Sequence, residues 1–364
     1  MPFFSFNNVK IEGIASAVPK QKVSVDSFKE QYGEEAISKF IALTGIKEFR
    51  KTLLHQTASD LGYVAAEKIL TEKEIDRNSI GALVFIAHST DYRRPATACV
   101  LHKRLGLSKD CVAFDVGLGC SAVVYGIQLL CSMLVNSDME RGLLIVGETL
   151  TKMTNPRDRS VNMLFGDGGA AIILEKTQEQ VPAIHVINKT DGSGYKDIIA
   201  PAGGFRNMYA SAEDMVWPDG NIRSLYNTYM NGTDVFSFTI SDIPKTVKEF
   251  LAKTGTSVED YDCFAFHQAN RFIHKQLSKK LRIPFEKMPL CLERYGNTSA
   301  PAVALALCDA YGASESSQLL NVMFCCFGIG LSWGVASAII DIQNIYPVME
   351  TDNIFEEGII SEPF

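Results

Sequence analysis

The sequence predicts an α/β protein built from two halves of similar plan. Short runs of consecutive apolar residues, typical of buried parallel strands, alternate with segments whose apolar residues recur at helical spacing. The order strand, helix, strand, polar residue, helix, strand, glycine-rich turn and strand occurs twice. This order predicts a duplication of pattern without a duplication of sequence.

Each half supplies its own set of predicted elements. In the first half, apolar runs predict strands over 9–15, 82–87, 112–116, 143–147 and 170–174, and apolar spacing predicts helices over 26–43, 57–70, 95–105 and 121–135. In the second half, the predicted strands are 263–266, 290–292, 319–324 and 334–342, and the predicted helices are 234–254, 269–281 and 299–311. We place the division between the halves at residues 177 and 178. The acidic tail, 343–364, is expected to be a docked or partly disordered extension.

Composition excludes several classes of protein. Of 364 residues, 46% are hydrophobic and 21% charged, and the net charge of −7 argues against a nucleic-acid-binding protein. No apolar run approaches the roughly 18 residues of a membrane span, and the first residues lack the pattern of a signal peptide. The nine cysteines show no metal-binding spacing. They favour a reduced, cytoplasmic protein without a bound metal.

Cys120 lies where a predicted strand gives way to a predicted helix. Gly117 and Gly119 permit a tight reversal at this point. The free N–H groups and the dipole of the helix are expected to stabilise a thiolate there, which would be a nucleophile. The alternative is a small, buried and inert cysteine.

Two further polar residues occupy comparable junctions. His267 follows the apolar run 263–266, as His88 follows 82–87, and Asn297 stands before the helix of the second half, as Cys120 stands in the first. Packed α/β units bring such junctions to one crevice at the carboxyl ends of their strands. We therefore expect Cys120, His267 and Asn297 to meet, although His267 alone would be read as a core histidine and Asn297 alone as a helix cap.

A Cys/His/Asn set supports two chemistries. In papain-like hydrolysis, His acts as base to Cys and Asn orients the His ring. Alternatively, Cys carries an acyl thioester, while His and Asn donate hydrogen bonds to a second thioester carbonyl that becomes an enolate when CO₂ leaves. The sequence around papain's cysteine is absent here, so the second chemistry is favoured.

Several motifs together resemble the β-ketoacyl-[acyl-carrier-protein] synthase III family of the thiolase superfamily. The principal motifs are 115–121, 267–270, 295–299 and 327–330, supported by 44–46, 57–61 and 165–168, and the likeness covers about residues 8–341. The resemblance implies a five-layered αβαβα fold, a homodimer and no tightly bound cofactor. It also implies that Cys120 is acylated by a thioester primer and then attacked by the carbanion of a decarboxylated malonyl thioester.

The same resemblance assigns roles around the nucleophile. The backbone N–H groups of Cys120 and Gly330 would form the oxyanion hole, Asn270 would contact the pantetheine arm, and Gly328 would allow the backbone to approach the ligand. Arg159 matches a family arginine near the adenine of coenzyme A. Substrates would be phosphopantetheine thioesters on acyl carrier protein or coenzyme A.

The helix after His267 carries a basic stripe. Arg271, Lys275, Lys279 and Arg282 fall on one side at 100° per residue. On an acidic protein, such a stripe beside the catalytic histidine suits docking of an acidic carrier protein. The alternative is an ordinary solvated face.

The chain departs from the family at two places. Lys39 and Leu43 stand where typical members carry an adenine-stacking tryptophan and a nearby arginine. Arg94 replaces an aromatic residue that lines the acyl tunnel of the partner subunit. The charge at Arg94 indicates a polar or carboxylated acyl group, or a differently shaped pocket. The two departures together indicate a specialised relative of the family.

Two other functions remain open from the sequence. An acyltransferase on the same fold would pass the acyl group from Cys120 to an alcohol or amine without forming a carbon–carbon bond. A non-catalytic subunit of a condensing heterodimer would usually lack the nucleophile. The presence of Asn297 as a second enolate donor favours condensation over simple acyl transfer, and the presence of Cys120 argues against a non-catalytic subunit.

Overall fold

The computed structural model describes residues 2–314 and 316–362 of the chain. Its strands are β1 (Phe4–Phe6), β2 (Val9–Pro19), β3 (Lys22–Ser24), β4 (Glu48–Arg50), β5 (Ile80–Ile86), β6 (Val112–Val116), β7 (Arg141–Glu148), β8 (Gly168–Lys176), β9 (Ile184–Thr190), β10 (Ile198–Ile199), β11 (Met215–Val216), β12 (Ile222–Arg223), β13 (Tyr229–Met230), β14 (Cys263–Phe266), β15 (Leu319–Gly328), β16 (Ser332–Asp341) and β17 (Met349–Thr351). Its helices are α1 (Lys29–Tyr32), α2 (Glu34–Thr44), α3 (Ala58–Glu72), α4 (Thr97–Arg104), α5 (Ala122–Val135), α6 (Gly232–Thr254), α7 (Arg271–Leu281), α8 (Leu292–Tyr295) and α9 (Ala302–Tyr311).

Two large sheets organise the described residues. One has the order β17-β2-β8-β7-β5-β6 and the other β1-β9-β16-β15-β14. Strands β5, β6 and β7 run parallel to one another, as do β14 and β15. The runs β2-β8-β7-β5 and β9-β16-β15-β14 have matching positions and directions, which is the duplication of pattern that the sequence predicts.

Apolar side chains fill the spaces between five layers. The largest cluster joins the facing sides of the two sheets to α5 and α9, which therefore form a buried central layer. Helices α3 and α4 pack on the outer face of the six-stranded sheet, and α6 and α7 on the outer face of the five-stranded sheet. Strands covered on both faces have continuous apolar runs. The five-layered αβαβα prediction is confirmed.

One edge strand of each sheet comes from the opposite end of the chain. Strand β1 pairs with β9 in the second sheet, and β17 pairs with β2 in the first. The remaining strands of the two sheets fall on either side of residue 177, so we retain the division 1–177 and 178–364 as a proposal. The acidic tail thus contributes a strand in addition to docking on the surface.

One predicted strand is wrong. Residues 290–292 lie outside any sheet, and helix α8 begins at Leu292. The backbone N–H of Cys291 donates to the side-chain oxygen of buried Gln268 and not to a neighbouring strand (3.1 Å). A three-residue apolar run is too short to distinguish a buried strand from a buried loop.

Across the described part of the chain, every helix is too short or too polar to cross a bilayer.

Candidate active site

Cys120 lies between the end of β6 and the start of α5, as predicted. It lines a cavity of about 690 Å³ together with His267 and Asn297. The three side chains are 6%, 3% and 5% exposed respectively. Cys120 therefore shares one buried pocket with two residues more than 140 positions further along the sequence, as the comparison of the two halves predicts.

The environment of the Cys120 thiol combines opposing effects. Burial raises its pKa to about 11, a nearby charge on Glu148 acts in the same direction, and hydrogen bonds lower it in part. The partners are the Ser299 hydroxyl, whose Oγ is 3.2 Å from Sγ with either group able to donate, and the backbone N–H groups of Ile329 and of Cys120 itself. The expectation of a resting thiolate at the helix terminus is corrected: the effect of burial on the pKa outweighs that of the hydrogen bonds, which favours the neutral thiol.

The turn after β15 supplies the second backbone donor, one residue earlier than the sequence analysis expects. Gly328 and Ile329 line the cavity, and it is the Ile329 N–H that reaches the sulfur. Gly330 instead provides the turn into β16, with φ of +141°. A Cβ on Gly328 would lie 2.5 Å from Cys120 Cβ. Gly328 is therefore required for close approach. The contact with the sulfur supports the Ile329 N–H, in place of Gly330, as the proposed oxyanion donor.

His267 is held as a neutral ring at the end of β14. Burial lowers its pKa to about 3, with a smaller contribution from His274. Its Nδ1 is buried and has no hydrogen-bond partner among the described residues. The ring meets the edge of Phe327 at a centroid distance of 5.3 Å. A neutral imidazole in this pocket can donate or accept one hydrogen bond without placing a charge there.

Asn297 is anchored by the first half of the chain. Its backbone N–H donates to Leu164 O (2.9 Å), and its carbonyl accepts from Gly166 N (3.1 Å). Its side-chain Oδ1 accepts from Ser299 N (2.9 Å). The amide NH₂ is therefore the end of the side chain that remains available to a ligand.

Other predicted ligand-binding residues divide into two groups. Asn270 lines the cavity, but its side-chain oxygen also caps α7 by accepting from Ile273 N (2.8 Å). Leu43 lies at the same cavity and is 55% exposed. Outside the cavity lining are three exposed side chains, Lys39, Arg94 and Arg159.

The basic stripe on α7 is exposed as predicted. Arg271, Lys275, Lys279 and Arg282 all face solvent, while Ile273, Leu277 and Leu281 are buried. Within residues 2–314 and 316–362, none of the four basic groups pairs with a carboxylate. The neighbouring Phe272 lines the cavity and stacks on Phe236. The stripe therefore borders the cavity that holds Cys120.

Several residues at the site were missed by the sequence analysis. Buried Gln268 donates to Phe266 O (2.8 Å) and Pro289 O (3.1 Å), which ties the end of β14 to the segment leading to Asn297. Ser299 contacts the sulfur, and His88 lines the cavity. In the sequence, only the position of His88 at the end of a predicted strand could have indicated that it lies at this site. The described residues contain no cluster of side chains suited to a metal ion.

Comparison with known proteins identifies the family. Residues 114–192 match 3-oxoacyl-[acyl-carrier-protein (ACP)] synthase III, and residues 251–340 match the C-terminal part of that family. A β-ketoacyl-[acyl-carrier-protein] synthase III of Clostridium perfringens is 31% identical over 90% of this chain and 98% of its own length. The chain belongs to the 3-oxoacyl-[acyl-carrier-protein] synthase III family.

Two further relatives agree with this assignment. The synthase III of Caldanaerobacter subterraneus subsp. tengcongensis is 33% identical, with 82% of this chain and 87% of the relative covered. The crystal structure of a 3-oxoacyl-(acyl-carrier protein) synthase from Burkholderia xenovorans LB400 is 34% identical, with a TM-score of 0.90, covering 96% of this chain and 99% of that one. The family indicated by the motifs is confirmed, and the chain is an acyl-transferring condensing enzyme with a thiolase-like fold.

Proposed function

We propose that this synthase III condenses an acyl group carried on Cys120 with a malonyl thioester, giving a 3-oxoacyl thioester and CO₂. The observation that carries the proposal is the convergence of Cys120, His267 and Asn297 on one cavity. In this assignment Cys120 is the nucleophile, and the side chains of His267 and Asn297 stabilise the enolate.

Acylation comes first. The Cys120 sulfur attacks the carbonyl carbon of the primer thioester, and the N–H groups of Cys120 and Ile329 stabilise the oxyanion. The C–S bond of the primer then breaks, and the departing thiolate receives the proton that the Cys120 thiol loses. Cys120 is left as an acyl thioester.

Condensation follows. The malonyl thioester loses CO₂, and the electron pair of the broken C–C bond forms an enolate whose oxygen accepts hydrogen bonds from His267 and Asn297. The enolate carbon attacks the acyl-Cys120 carbonyl. The Cys120 thiolate leaves and takes a proton from solvent, which completes the balance.

We further propose that the thioesters arrive on phosphopantetheine, with malonyl carried by acyl carrier protein and no tightly bound cofactor. The Asn270 and Gly328 positions at the cavity support contact with the pantetheine arm, and the exposed basic stripe on α7 supports carrier docking. A nucleotide contact through Arg159, a homodimer in which Arg94 reaches the partner's acyl pocket, and a cytoplasmic location are parts of the same proposal.

The test is to incubate the protein with an acyl thioester and malonyl-acyl carrier protein and to measure adduct, product and CO₂. The proposal expects one acyl group on Cys120 and one CO₂ per 3-oxoacyl product, with both lost in Cys120→Ala. Acyl transfer to an alcohol or amine without CO₂ release would instead establish the acyltransferase alternative.

A further inference from the structure

Glu148 is a buried carboxylate close to the nucleophile. It is 0% exposed and follows the apolar core of β7. Its oxygens accept from the backbone N–H of His88 (3.0 Å), from the backbone N–H of Ser89 (3.2 Å) and from the Ser89 hydroxyl (2.6 Å). Ser89 Oγ itself accepts from Thr149 N (3.0 Å), so its proton is directed at the carboxylate. Three donors therefore converge on the two oxygens of this carboxylate.

His88 is the basic side chain that lies beside this carboxylate. Its Nδ1 lies 3.6 Å from Glu148 Oε1, and among the described residues no lysine or arginine nitrogen comes within 4.0 Å of that carboxylate. A buried carboxylate is stable as an anion when a partner carries the compensating proton. Burial acts to lower the pKa of His88, but the hydrogen bond and charge of Glu148 outweigh it, and the net direction is upward.

The His88 ring lies at the reacting end of the cavity. An added Cβ on Gly119, the residue before Cys120, would be 3.0 Å from His88 Nδ1 and 3.3 Å from Ser299 Oγ. His88, Cys120 and Ser299 all line the cavity. The His88 side chain is 34% exposed, although its partner Glu148 is fully buried, so the ring presents its free edge to the cavity.

We propose that protonated His88, held by Glu148, is a specificity-determining residue that selects acyl groups bearing a carboxylate a few carbons from the thioester. The proposal rests on the proposed function, because it names the class of primer that Cys120 accepts. The rest of the cavity wall is largely apolar, with Leu150, Met153 and Phe165 among its members. A single cation in such a wall distinguishes an anionic acyl group from a neutral one of equal length.

The experiment compares succinyl and butyryl thioesters, which have the same number of carbons and differ in the terminal carboxylate. Acylation of Cys120 is followed by intact mass before any malonyl thioester is added, in wild type, His88→Gln and Glu148→Gln. We expect wild type to acylate faster with succinyl. We expect His88→Gln to reduce the succinyl rate by roughly tenfold or more, as for loss of a charge-assisted hydrogen bond, and to reduce the butyryl rate by much less.

His55→Gln is the matched control, since His55 is exposed and lies outside the cavity that holds Cys120. Equal wild-type rates with the two thioesters, or equal losses with both in a normally melting His88→Gln protein, would overturn the proposal. Glu148→Gln should lower succinyl selectivity in the same direction as His88→Gln. CO₂ release from malonyl thioester, measured afterwards on butyryl-loaded wild type, tests the condensation separately from the selectivity.

Discussion

At Cys120 the ionisation of the thiol depends on two opposing environments. The start of α5 and the nearby N–H groups favour a thiolate, whereas burial favours the neutral thiol and raises the pKa to about 11. The enzyme therefore rests with a protonated nucleophile. The thiol loses its proton only as the sulfur attacks the bound thioester. The carbonyl oxygen of the thioester becomes negatively charged in the same step, and the backbone N–H groups then stabilise it.

This raised pKa predicts the pH dependence of alkylation. Only the thiolate reacts with iodoacetamide, so the rate at Cys120 should rise about tenfold per pH unit from pH 7 to 9 without a plateau. The rate can be read by mass spectrometry of the peptide that contains Cys120, with exposed Cys99 in the same digest as reference. A plateau below pH 8 would show that the helix terminus dominates after all.

For single residues, the sequence predicts which side chains form the site better than it predicts their protonation and hydrogen bonds. Cys120, His267 and Asn297 could be assigned because each interrupts an apolar pattern at a predicted junction. The protonation of Cys120 could not, because desolvation depends on packing from both halves. The structure was also needed to choose between Ile329 and Gly330 as the backbone donor of this turn, because the choice depends on which N–H faces the sulfur.

Among the elements, the C-terminal tail is joined to α3 and α4 by one buried arginine. Arg104 pairs with Asp60 at 2.8 Å, and both side chains are at most 5% exposed. The guanidinium lies over the Tyr63 ring at 4.3 Å and over the Phe355 ring of the tail at 4.6 Å. The Phe355 N–H also donates to Asp60 (2.9 Å). The tail is therefore fixed by a desolvated ion pair as well as by β17.

Arg104→Ala should destabilise the protein by about 3–5 kcal/mol, because it leaves the Asp60 carboxylate buried without its cation. The measurement is the urea midpoint of unfolding. Lys103→Ala is the control, since Lys103 and its partner Glu357 are both exposed and such pairs contribute about 0–1 kcal/mol. Equal, small shifts for the two variants would show that the tail is held by β17 alone.

The secondary structure of the tail and of residues 290–292 could not be predicted from the sequence. Long, strongly patterned elements such as α3, α6 and β5 were found within a few residues of their ends. Strand β17 is only three residues long, and its pairing with β2 joins positions more than 330 residues apart. Periodicity over so short a segment carries no information about its partner.

In the whole molecule, the charge distribution is uneven. The net charge is −7, yet four exposed basic groups line one side of α7 beside the cavity. A basic patch on an otherwise acidic protein attracts an acidic partner to that side of the molecule. A carrier docked at this stripe, as proposed above, would lie close to the cavity that holds Cys120.

Reversing two charges on α7, with Lys275→Glu and Lys279→Glu, should raise the KM for malonyl-acyl carrier protein by roughly fivefold or more. The KM for a small malonyl thioester should stay unchanged, because neither reversed lysine lines the cavity that this substrate enters. The matched control reverses Lys73 and Lys109, which lie outside the cavity lining. Equal effects on carrier-borne and small substrates would contradict docking at this stripe.

The most direct measurement of the central claim is single-turnover CO₂ release by Asn297→Ala. Wild type and variant are first acylated on Cys120, freed of excess primer and then mixed with malonyl-acyl carrier protein. Loss of one enolate donor should leave acylation within about threefold of wild type and slow CO₂ release by roughly 100-fold or more. If CO₂ release is unchanged, or if acylation falls as steeply as decarboxylation, Asn297 is not an enolate donor and the condensing site assigned here is contradicted.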